Sequence, residues 1–194
     1  MKKNQAQKII DNVEKMRVNS KNQLMHRNIP LAKECLAMLE KLDDPEEGPL
    51  GKAYACNASI EQLPEYDVPR FVLGILHREL AWLNESEEKS EWLTAGSVQK
   101  DIARLEDYIC EDAMSMKEFC SKYGRHLLFD PVERSSRWEE LYYDVETECE
   151  RRLEGEPRGM GFCFAYWAEK RNVLAAYGID WKSPSVMNPR VMFD

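Results

Sequence analysis

Apolar residues in this chain recur at intervals of three and four, and almost nowhere at intervals of two. That spacing limits the fold more than any other feature. It gathers apolar side chains on one face of a helix, whereas a strand needs alternation. Ala6, Ile9, Val13 and Met16 form the first such stripe, which predicts a helix over residues 4–18. Leu31, Cys35, Met38, Leu39 and Leu42 form the second, with Asn28 as a cap and Pro30 in its first turn. The run Asp43-Asp44-Pro45-Glu46-Glu47-Gly48-Pro49 reads as the polar loop that stops it. A weaker helix over residues 52–63 carries Cys56, Ile60 and Leu63 and ends at Pro64. Asp67-Val68-Pro69 opens the next, with Phe71, Val72, Ile75, Leu76, Leu80 and Leu83 as its stripe. A strand over Phe71–Leu76 is the alternative, but the helical pattern continues for two more turns.

Start and stop signals mark the remaining segments. Gly96 reads as a stop and Ser97 as the cap of a helix carrying Val98, Ile102, Leu105 and Ile109. Ser115-Met116-Lys117-Glu118 is a capping box, in which serine takes the third amide and glutamate reaches back. Asp130-Pro131 reads as the start of the longest helix, with Trp138, Leu141, Tyr142, Val145, Cys149 and Leu153 on one face and Gly155 at its end. Phe162 to Tyr177 forms the last long helix, stopped by Gly178. These signals predict an all-α fold: a single domain over residues 1–194, a bundle of about seven helices. Residues 1–20 read as a possible basic helical arm. The irregular C-terminal tail holds Trp181, Val186, Met187, Val191 and Phe193. It is too apolar for a free end, so it is expected to pack on the helix 162–177 with Trp181 buried.

Charge excludes some functions. The formal net charge is −8, and it is uneven. Residues 1–33 carry 8 Lys/Arg against 2 Asp/Glu, residues 34–120 carry 8 against 20, and residues 121–194 carry 11 against 13. The acidic middle argues against a nucleic-acid footprint, which needs clustered cations. The basic first helix leaves a nucleic-acid binder as the weakest of three functional readings. No apolar core of a secretory signal follows Met1-Lys2-Lys3, and no stretch approaches the roughly 18 apolar residues of a membrane span. The chain is therefore read as cytoplasmic, and its 6 cysteines as reduced thiols.

Metal chemistry has few footholds. There is no Cys-x-x-Cys, and none of His26, His77 and His126 follows an acidic residue by three, as a bundle di-metal site would need. Glu87-Glu88-Lys89-Ser90-Glu91 fits the pattern E-x-x-E preceded by a further Glu. It resembles the first half of the magnesium motif of all-α nucleotide pyrophosphohydrolases. That resemblance implies Mg²⁺ held by Glu87, Glu88 and Glu91 on one helix face, binding nucleotide phosphates. The family's second motif, E-x-x-D on the next helix, is absent; Asp101, Glu106 and Asp107 stand in that region. The plainer reading is a solvated acidic face.

Two further groups are candidates. Arg125, His126 and Arg134 could bind an anion near a turn. Phe162, Phe164, Tyr166, Trp167 and Trp181 are a dense aromatic group, either core or a surface for a partner or a small molecule. The leading expectation is a noncatalytic protein-interaction or regulatory module with no cofactor, acting on a protein partner or on a second copy of itself. The rival is the magnesium-dependent nucleotide hydrolase.

Overall fold

The computed structural model describes residues 2–42 and 48–193, with side chains from residue 5 onward. It is 68% helical, and no strand occurs among the described residues, so the fold is all-α. Nine α-helices are present among them: α1 (Lys2–Lys21), α2 (Asn28–Lys41), α3 (Gly48–Ile60), α4 (Pro69–Glu85), α5 (Ala95–Ile109), α6 (Met116–Lys122), α7 (Ser136–Arg152), α8 (Phe162–Ala176) and the short α9 (Pro184–Met187). Single 3-10 turns lie at Met25–Arg27 and Pro131–Arg134. The expected polar loop at 43–47 falls outside the described residues. The chain forms two compact units, Met1–Glu106 and Asp107–Asp194.

In the first unit, α1 packs on α2, α2 on α3, and α3 extensively on α4. The stripes read from the sequence supply its core: Ile9, Val13 and Met16 from α1, Cys35 and Leu39 from α2, Cys56 from α3, and Val72, Ile75 and Leu76 from α4. Phe71–Leu76 is helical, so the strand alternative is excluded. Asn28 does not cap α2. It is the first helical residue and fully buried, and its amide donates to the carbonyls of Met16 and Gln62 at 3.1 and 2.7 Å. It thereby ties α1 to the chain after α3. Ser97 does not cap α5 either. Thr94 accepts from the Ser97 amide at 3.1 Å through its hydroxyl, so Gly96 lies inside the first turn.

In the second unit, α7 packs on α8. The capping box at Ser115 forms as expected. Asp130-Pro131, however, opens a 3-10 turn and not the long helix; Ser135 caps α7 by accepting from the Trp138 amide at 3.1 Å. The proline preset suits either helix type, and the second cap, Ser135, decides where α-geometry starts. The tail packs on the unit with Trp181 buried, as expected, but against residues 128–138 as well as the expected helix 162–177, which it meets at Lys170 and Trp167. Trp181 is 3% exposed, lies 6.1 Å from Trp138 between ring centroids, and donates its indole N–H to Glu133 at 2.7 Å. Asp130 accepts the Lys182 amide at 2.7 Å, and Asn188 both accepts from the Leu128 amide and donates to its carbonyl, at 2.8 and 2.9 Å.

Candidate functional site

The feature that stands apart chemically is a cavity of about 530 Å³ in the first unit, between α3, α4 and α5. Apolar side chains supply part of its wall, among them Ile60, Leu63, Val72, Leu76 and Val98. Four carboxyl side chains also border it: Glu61, Glu65, Glu79 and Asp101. Arg104 is the one cation in the lining among the described residues. Its guanidinium donates to both oxygens of Glu65 at 3.0 and 3.1 Å and to Asp101 at 2.9 Å, and also bonds the Tyr66 hydroxyl. One positive charge is thus shared between two carboxylates before Glu61 and Glu79 are considered.

Glu79 is the unusual member. It sits on α4 at the buried face made by Val72, Ile75, Leu76 and Leu83, and its exposure is 0%. Among the described residues, neither carboxyl oxygen has a hydrogen-bond partner. The Asn57 amide lies near enough to favour the ionised form, without making a hydrogen bond of normal geometry. Burial pushes the carboxyl up to about 8, and the charges of Asp101 and Glu61 push the same way. Burial likewise raises the Cys56 thiol on the facing side of α3, with Glu79 contributing. At neutral pH the carboxyl of Glu79 is therefore mostly protonated. A polar group left unpaired in the interior costs about 1–3 kcal/mol. Natural chains hydrogen-bond nearly all such groups, and one that borders a cavity in a perturbed state marks a candidate binding site. At the cavity's edge, Trp92 is 64% exposed and stacks on Tyr54, with 5.0 Å between centroids and 11° between planes.

No protein-family model, curated protein or solved structure matches this chain. The cavity's geometry and charge are therefore the grounds for a functional reading.

The residues singled out from the sequence are distributed as follows. Glu87, Glu88 and Glu91 are exposed and lie in the irregular segment between α4 and α5, so they share no helix face. Among the described residues, no group of three or more His, Cys, Asp or Glu is placed to hold a metal ion. Of Arg125, His126 and Arg134, the last is already committed to the backbone. Arg134 is buried and donates to the backbone carbonyls of Tyr108, Met114 and Asp107, closing the C-terminal end of α5. Arg125 lies over the Phe129 ring at 4.5 Å, and His126 is exposed.

The aromatic group divides. Trp181 is core, and Tyr166 donates to Glu146 at 2.6 Å. Phe164 and Trp167 meet edge to face at 5.4 Å, and Phe193 of the tail closes on Trp167 at 5.1 Å. Phe162 is half-buried beneath the Arg158 guanidinium, and Phe164 is exposed. Glu79 was legible in principle: Val72, Leu76, Glu79 and Leu83 step by four, three and four, placing a carboxylate on an apolar stripe. The convergence of Glu61 and Glu65 with Asp101 and Arg104 carried no local signal, because two segments far apart in the chain, the connection after α3 and α5, supply them.

Proposed function

We propose that this chain is a noncatalytic binding module that takes a ligand into the cavity between α3, α4 and α5. The observation that carries the reading is Glu79: fully buried, unpartnered at both oxygens, and on the border of a cavity large enough for a small molecule or an inserted side chain. A group held this way is costly to the ligand-free protein, and a ligand that satisfies it recovers that cost on binding. Of the other polar groups in the lining, Arg104, Glu65, Asp101 and Ser97 are already committed, while Glu61 is exposed. Arg104 holds Glu65 and Asp101, and the Ser97 hydroxyl donates to the Thr94 carbonyl at 2.7 Å. Binding, with the chemistry left to no one residue, is what this arrangement supports. A regulatory or interaction role follows if the ligand is a side chain of another protein.

The test is ligand-observed NMR with three probes of one size, n-hexylammonium, 1-hexanol and hexanoate, on the wild type and on Asn57→Phe. The substitution places a ring in the cavity from a half-buried position of α3. The reading expects at least one probe to bind the wild type saturably and to lose that binding in Asn57→Phe. Absence of binding by all three, or binding indifferent to the substitution, contradicts it.

A further inference from the structure

The cavity's electrostatics narrow its ligand, on the reading that the cavity binds one. Of its charged groups, Arg104 is pinned between Glu65 and Asp101, which leaves that trio with an excess of negative charge. Glu61 is exposed beside it and forms no ion pair among the described residues. An anion entering would face Glu61 and the residual charge of the trio, with the one guanidinium already saturated. A neutral ligand would leave those charges uncompensated. A bare metal ion finds no set of three ligating residues among the described residues and meets apolar walls at Ile60, Leu63, Val72 and Leu76. Apolar wall and excess carboxyl in one lining are together the complement of a cationic head on an apolar stem.

We infer that the cavity takes an organic cation, an ammonium or guanidinium carried on an apolar chain, with its charge balanced by Glu61 and Glu79 and its stem against the walls of α3, α4 and α5. The exposed Trp92 face, backed by Tyr54, gives the cation an aromatic surface at the edge. Small movements of the lining are needed for direct contact with Glu79, since its carboxyl is closed to water.

The inference carries a proton signature. Glu79 faces Cys56 and Asn57 from α3, Glu61 and Glu65 from the connection that follows it, and Asp101 and Arg104 from α5. Glu40 of α2 acts on Cys56 from farther off and is paired with Arg78 at 3.1 Å. None of these except Arg104 is cationic, and Arg104 is occupied. An arriving cation therefore favours the ionised carboxyl of Glu79, which gives up its proton to solvent as the ligand binds. Between the lowered titration point of the bound state and the ligand-free one near 8, binding releases up to one proton and tightens as pH rises; well outside that window, both effects vanish.

Isothermal titration at pH 7 in two buffers of different ionisation enthalpy measures that proton directly, using n-hexylammonium, 1-hexanol and hexanoate on the full chain. The result expected is a preference of about tenfold or more for n-hexylammonium over 1-hexanol, with net proton release. Glu79→Gln should abolish the release and weaken binding, and Glu61→Gln should weaken binding while keeping it. N-acetyl-lysine methylamide and arginine derivatives make up the second arm. If they bind more tightly than the free amine, the natural source is a side chain presented by a polypeptide; if less, it is a free amine. Equal or tighter binding of 1-hexanol or hexanoate, or cation binding without proton release, overturns the inference and leaves the cavity reading standing. Absence of binding by every probe overturns both.

Discussion

The ammonium of Lys170 lies 2.7 Å from the carboxylate of Glu146, with both side chains more than nine-tenths buried. The rings of Trp138, Tyr142, Tyr166 and Trp181 surround that ammonium at 4.8 to 5.6 Å. Lys170 belongs to α8, Glu146 to α7 and Trp181 to the tail, so one buried charge pair joins three parts of the second unit. Desolvating both charges offsets much of their attraction, but removing one partner strands the other. Lys170→Met and Glu146→Gln should each lower stability by about 3–5 kcal/mol in denaturant unfolding. The double variant should fall by much less than the sum. Single variants within about 1 kcal/mol of wild type would show the pair to be hydrated.

Trp181 anchors the tail through the same cage. Trp181→Ala should cost about 3–5 kcal/mol and lower the melting temperature of the whole second unit. Met192, 90% exposed in the same tail, serves as the control: Met192→Ala should leave stability unchanged. Equal, small effects of the two would mean that the tail is held by the hydrogen bonds of Lys182 to Asp130 and of Asn188 to Leu128 alone.

Arg134 was expected as an anion ligand and instead closes a helix end. Its donors satisfy the Asp107 and Tyr108 carbonyls in the last turn of α5, and the Met114 carbonyl in the connection that follows. Arg134→Met keeps the stem and removes the donors, and should cost about 1–3 kcal/mol for each carbonyl left without water. Sulfate or phosphate should not stabilise the wild type through this residue. A phosphate-dependent rise in melting temperature lost in Arg134→Met would restore the anion reading.

Most helix cores could be read from the sequence because their information is local. The stripes Ile9–Met16, Leu31–Leu42 and Trp138–Cys149 needed only periodicity, and Ser115-x-x-Glu118 needed only four residues. Starts were harder where two caps compete. Thr94 precedes Ser97 by one turn, and Asp130 precedes Ser135 by little more, so the choice depended on how the chain enters each helix. The site was read least well. Glu87, Glu88 and Glu91 drew notice as a run, yet the chain there is irregular and the side chains point into solvent. Glu79 stood alone beside Arg78 and Leu80 and drew none, although its place on the stripe of Val72, Leu76 and Leu83 marked it as buried. The lysine cage had no local sign either, because its rings come from positions up to 43 residues apart, from Trp138 to Trp181.

Stability should record Glu79's burial through pH. Its folded-state titration lies near 8, above the ordinary value of 4.5 that the unfolded chain has. Below about 4.5 both states hold the proton. Between the two values the unfolded chain has lost a proton that the folded chain keeps, so stability falls as pH rises, by up to about 1.4 kcal/mol per unit. Above about 8 the loss levels off. Glu79→Gln removes this term: near pH 4.5 it should match the wild type, and near pH 8 it should be more stable by a few kcal/mol. A constant difference across that range would mean that Glu79 is not held neutral.

The most direct test of the cavity account is the titration of the Glu79 carboxyl itself, followed by carboxyl-¹³C NMR with and without saturating n-hexylammonium. The account predicts a ligand-free midpoint near 8 that drops when the cation binds, with Glu61 and Asp101 moving less. A midpoint in the ordinary range near 4.5, or one near 8 that the cation leaves unmoved, would contradict it.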